Sequence, residues 1–99
     1  MRLSEHQREV IRRSAAELAG PDAAVMLFGS RVDEALRGGD IDLLVDLPAP
    51  CADRLTLSLR IGARIERQLG MQKIDVLVAD PLTTESAVLA RARQTGLPV

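Results

Sequence analysis

The connection between the first two apolar runs constrains this chain more than any other feature. Residues 23–28 (AAVMLF) and 40–47 (DIDLLVDL) are each of strand length, and only residues 29–39 join them. A parallel crossover needs roughly a dozen residues or more, normally folded as a helix. Here Gly29 and Ser30 break the first run, Gly38 and Gly39 precede the second, and Arg31–Leu36 allows one or two helical turns at most. The first two strands are therefore expected to be antiparallel neighbours.

The rest of the chain alternates helix-period and strand-length segments. Ser4 and Gln7 have the S-x-x-Q spacing of a capping box, and Val10, Ile11, Ala15 and Leu18 recur at helical spacing. A helix over about 5–19 follows, ended by Gly20 and Pro21. From Ala52 to Leu69 the longest helix is expected, with Leu55, Leu59, Ile65 and Leu69 on one broad apolar face and Gly70 as its cap. Lys73–Ala79 reads as a third strand, Asp80–Pro81 as a turn, and Thr84–Gln94 as a last helix. Gly96–Val99 has room for a short edge strand. The expectation is α/β: one domain over 1–99, a small mixed sheet with helices packed on it.

Composition removes several functional classes. Thirteen basic residues against 14 acidic give a net charge of -1, which argues against a protein that coats nucleic-acid phosphates. Phe28 is the only aromatic residue, so there is no stacking platform for single strands. One cysteine, Cys51, and one histidine, His6, exclude an internal disulfide and the usual zinc clusters. A reducing, cytoplasmic setting is expected, with no signal peptide and no apolar run of membrane-spanning length. The arginines at 60, 64 and 67 read as a solvated helix face, and Met26 and Phe28 as core.

Acid is concentrated between residues 22 and 53, and its spacing carries more information than its amount. Asp40 and Asp42 stand two apart at a strand, so both carboxylates leave the same face, where like charges repel unless a cation compensates. Asp75 interrupts an apolar strand between Ile74 and Val76, where an unpaired carboxylate is disfavoured. If strand three lies beside strand two, the three carboxylates converge as hard oxygen ligands suited to Mg²⁺. A structural pairing of Asp75 with Arg31 or Lys73 is the alternative. Gly29 and Ser30 lie where a strand meets a short helical turn, a place where free backbone N–H groups and a hydroxyl can receive phosphate, with Arg31 adding charge. Walker A and G-x-G-x-x-G loops are both absent.

Together these residues resemble a known family. GSRVDEALRGGDIDLLVD, over Gly29–Asp46, is similar to the signature of the DNA polymerase beta type nucleotidyltransferases, in which Gly-Ser precedes Asp-x-Asp by about ten residues, and KIDVLVAD is similar to the strand that bears their third carboxylate. The chain looks most like the minimal members, the MntA-like antitoxins encoded with HEPN ribonuclease toxins. The resemblance implies a polymerase-beta-like nucleotidyltransferase fold. It also implies that Gly29, Ser30 and Arg31 bind the nucleotide, that Asp40 and Asp42 hold two Mg²⁺ ions, and that Asp75 contacts the metal that activates the incoming hydroxyl. ATP would be the substrate, AMP the transferred group, and a tyrosine of a nearby-encoded HEPN-type toxin the acceptor. The alternative is a non-catalytic module that neutralises its partner by binding. No membrane or direct nucleic-acid partner is expected, and a homo-oligomer is left open.

Overall fold

A computed structural model describes residues 3–32, 40–70 and 72–99, with Ser30 described by its backbone only. The elements run α1 (Glu5–Ala19), β1 (Ala24–Phe28), a 3₁₀ turn (Gly29–Val32), β2 (Ile41–Asp46), α2 (Arg54–Leu69), β3 (Ile74–Ala79), α3 (Ala87–Thr95) and β4 (Leu97–Pro98). The expected turns at Arg31–Leu36 are seen as far as Val32; the remainder, with Gly38 and Gly39, lies outside the described residues.

One sheet has the order β3-β2-β1-β4. β1 pairs antiparallel with β2, as the short connection requires, and with β4. β2 pairs in parallel with β3, and α2 forms the crossover. The sheet is mixed because its first two connections differ in length: that from β1 to β2 is too short to return the chain to its starting end, while that from β2 to β3 carries a full helix.

Alternation along β2 sorts its side chains between two layers. Ile41, Leu43 and Val45 join Leu27, Val10, Ile11, Ile61 and Ile65 in the core under α1 and α2. Leu44 faces the other way and packs with Ala79, Leu89 and Ala92 beneath α3. Each fully buried Leu or Ile contributes about 1.5–3 kcal/mol relative to exposure, so the first layer holds most of the driving force. Met26 and Phe28 are part-buried against the α3 layer, at its margin and not in its centre. Asp46, on that same side of β2, is ion-paired with Arg93 of α3.

The helix ends follow the sequence. Ser4 and Gln7 form the reciprocal capping box at α1, and the Asp53 carboxylate caps α2 by accepting from the Thr56 N–H. α3 starts later than the apolar pattern suggests, at Ala87, because the Ser86 hydroxyl accepts from the Leu89 N–H and sets the boundary. The face of α2 is also different from the expected one. Ser58, Ile61, Gly62 and Ile65 are buried, whereas Leu55 and Leu59 are 70% and 64% exposed. Leu57, Ile61 and Ile65 form the i, i+4, i+8 row that meets α1 and the sheet, which rotates Leu55 and Leu59 towards the open flank beside β3. No described helix is long and apolar enough to cross a membrane.

Candidate active site

The parallel pairing of β2 with β3 assembles the site. In that register Asp42 is the direct partner of Asp75, and Ile41 of Ile74. Partners in a parallel pair project to the same face, so two carboxylates from separate strands stand side by side. They lie on the α3 side of the sheet, beyond the part that α3 covers, as the alternation from buried Leu44 shows. Phe28, the partner of Asp42 in β1, shares that face. Asp40 precedes β2 by one residue and its side chain is 47% exposed.

Electrostatics register the crowding. The Asp42 carboxyl is pushed above the usual carboxylate range, first by burial and then by the negative charges of Asp75 and Asp40, with Lys73 opposing. Lys73 Nζ lies 3.7 Å from Asp40 Oδ2. Three acids and one lysine thus share the opening ends of β2 and β3.

Gly29 fixes how closely the 3₁₀ turn can approach. Its φ of +78° favours glycine, and a Cβ there would collide with Asp42 Oδ2 and lie 3.3 Å from Asp42 Cγ. The residue after β1 must therefore lack a side chain for the Asp42 carboxylate to occupy its position. Ser30 follows in the turn backbone, and the Arg31 guanidinium donates from Nη2 to Gln72 Oε1 at 3.1 Å, linking the turn to the segment before β3. The structure brings Gly29, Asp42 and Asp75 together directly. It sets Asp40 at the rim with Lys73, and places Ser30 and Arg31 on the adjoining turn.

Among the described residues, no three Asp, Glu, His or Cys side chains form a ready-made metal cage. The donor set nevertheless fits a hard divalent cation. Its atoms are carboxylate oxygens, they are accessible, and their mutual repulsion is the kind of charge excess that such an ion relieves.

The sequence offers Lys73 only as a structural partner for Asp75; the structure pairs it with Asp40. The groove between α2 and the free edge of β3 was not anticipated at all. It has a volume of about 500 Å³, and its lining includes Leu55, Leu59, Gly62, Glu66, Val76 and Asp75. Glu66 Oε1 accepts from the Ile74 N–H at 3.1 Å, satisfying an edge donor that faces away from β2. The signal was available in the leucines at 55 and 59, which fall one turn apart but out of phase with Ile61 and Ile65.

Comparison with known proteins agrees with this fold. No curated protein sequence matches the chain. Among solved structures, a chain from a crystal structure of a mutant MntA-HpeT toxin–antitoxin complex superposes with a TM-score of 0.63 at 18% identity, covering 92% of this chain and 70% of that one, and so shares its fold. The family model of the nucleotidyltransferase domain matches residues 8–93, from within α1 to within α3, and takes in all the carboxylates described above. With nearly its whole length matched, this chain belongs to the nucleotidyltransferase domain family.

Proposed function

We propose that the protein is a Mg²⁺-dependent nucleotidyltransferase that moves AMP from ATP to a hydroxyl of a partner protein, a tyrosine of a HEPN-type toxin, and thereby acts as a cytoplasmic antitoxin. The observation that carries this reading is the register of Asp42 against Asp75, with the Asp42 carboxyl raised first by burial and then by its acidic neighbours.

Asp40, Asp42 and Asp75 would hold the metal. Two Mg²⁺ ions, when bound, supply positive charge that neutralises the triphosphate and favours the alkoxide character of the attacking oxygen. The acceptor oxygen forms a bond to the α-phosphorus, and the bond from that phosphorus to the bridging oxygen breaks. Pyrophosphate leaves with the electron pair, and the hydroxyl proton passes to solvent. Asp75 is exposed on the edge strand, the side from which a second protein has access. Gly29 lets the turn backbone lie against Asp42, so that N–H groups of the turn and Ser30 can meet phosphate close to the carboxylates. Arg31 adds a cation on the same turn.

A second reading, neutralisation by binding alone, draws on the exposed Leu55 and Leu59, which line the α2 groove together with Asp75 and Val76. Incubation with labelled ATP, Mg²⁺ and the protein encoded beside it separates the two. Label should appear on the partner and not when ATP is labelled only at its γ-phosphate. A stable complex without label would support the binding module instead.

A further inference from the structure

Lys73 stands where a cation is needed before any metal arrives. The pairing of Ile41 with Ile74 brings the residues just ahead of the two strands side by side, and the Ile41 N–H donates to the Lys73 carbonyl at 3.1 Å. The lysine backbone is thus pinned beside Asp40. Its side chain is not: Nζ lies 3.7 Å from Asp40 Oδ2, longer than a direct hydrogen bond, and the side chain is 66% exposed. Its charge also opposes the repulsion felt by Asp42. A compact ammonium on a flexible stem is held by such a contact weakly and can leave it easily.

We propose that Lys73 is a positioning residue that serves as the resident cation of the metal-free carboxylate cluster and is displaced from Asp40 when a divalent ion binds. The inference rests on the carboxylates being a metal site, as read above. Lys73 keeps Asp40 close to Asp42 and Asp75 while the site is empty of metal, and the loss of a loose, solvent-screened ion pair makes the exchange easy. The displaced ammonium, still tethered at the mouth of the site, is then available to the phosphates of the incoming nucleotide.

The test compares the wild type, Lys73→Gln and Lys73→Arg, each stripped of metal with chelator and then titrated with Mg²⁺ alone, without nucleotide. The readouts are melting temperature and binding isotherm. Removing the lysine should lower the metal-free melting temperature by a few degrees, about 2–5 °C, because the carboxylates lose their counter-charge. It should at the same time tighten Mg²⁺ binding about tenfold, because the competing charge is gone. Lys73→Arg should restore both values to within about twofold in affinity, and raising the salt concentration should shrink the difference between the wild type and Lys73→Gln. A merely structural lysine would not tighten metal binding when removed. If Lys73→Gln binds Mg²⁺ as the wild type does, or more weakly, the proposal is wrong while the metal site stands. If the wild type itself shows no response to Mg²⁺, the metal-site reading fails and the proposal with it.

Discussion

Two aspartates, Asp42 in β2 and Asp80 just after β3, are pushed in opposite directions by their surroundings. The Asp80 side chain is 1% exposed and saturated with donors. It accepts from the Cys51 N–H at 2.8 Å, the Leu82 N–H at 2.9 Å, and Arg54 Nη1 and Thr83 Oγ1 at 3.1 Å. These bonds, led by that from Cys51, hold its carboxyl down to about 2. Asp42 is part-buried, without such donors among the described residues and beside Asp75 and Asp40, so burial first and like charge second raise its carboxyl, with Lys73 opposing. A buried carboxylate provided with donors is a structural clamp, here joining the loop after β2, the start of α2 and the turn after β3. A carboxylate left with like charges points to a ligand from outside.

The largest effects should separate the two sites. Asp42→Asn should reduce nucleotide transfer by about a thousandfold or more if Asp42 is a metal ligand as proposed, since it removes the ligand's charge. Its metal-free melting temperature should hold or rise, because the change also removes a repulsion. A variant that unfolds, or one with full transfer, would contradict the assignment. Asp80→Ala should do the reverse. With the Cys51 and Leu82 N–H groups and Arg54 deprived of their acceptor, the melting temperature should fall by roughly 10 °C. The Mg²⁺ response measured well below the new midpoint should be unchanged, and a loss of metal affinity equal to that of Asp42→Asn would erase the distinction.

Gly29→Ala tests the contact between the 3₁₀ turn and Asp42. The added Cβ meets the carboxylate and sits on a backbone with φ of +78°. Forcing a non-glycine residue there costs about 1–2 kcal/mol. We expect a fall of roughly 5–10 °C in melting temperature together with weaker Mg²⁺ binding. In an Asp42→Ala background, Gly29→Ala should cost less melting temperature than in the wild type, because the carboxylate that the new Cβ meets is gone. Full additivity would show that Gly29 matters for its turn alone.

How much of this could be read from the sequence depended on whether the relevant contact was local. The strands were legible because alternation in 40–47 and the apolar run at 74–79 reflect two faces directly, and the antiparallel start followed from the length of 29–39. Convergence of Asp42 with Asp75 needed only adjacency of two strands, which the acid within β3 already suggested. The α2 face was misjudged because a helix with Leu at 55, 57, 59 and 69 presents two apolar rows, and only the packing of α1 decides that Ile61 and Ile65 lie beneath. Asp80 read as an ordinary turn residue since three of its four donors come from Cys51, Arg54 and Leu82, whose approach depends on the fold as a whole or on the turn's final shape. The placement of Lys73 against Asp40 was equally hidden, because it follows from strand register and not from spacing along the chain.

The smallest and most discriminating effect lies in the pH dependence of stability. For Asp80 the folded pKa, about 2, is below the ordinary 3.8, so its stabilisation is fully present above the ordinary value and is lost as pH falls through the folded one. For Asp42 the folded pKa is raised, so the folded state takes up the proton first; ionisation destabilises the fold, and acidification through the raised value relieves that penalty. In chelator and low salt, between about pH 7 and about pH 2, the two variants should therefore converge on the wild type in different windows. The excess melting temperature of Asp42→Asn should already shrink above the ordinary carboxylate pKa, whereas the deficit of Asp80→Ala should persist to more acid pH and close only towards about 2. If both differences closed together, Asp42 and Asp80 would be titrating as equivalent carboxylates, and the contrast between a clamp and a ligand site would have no electrostatic basis.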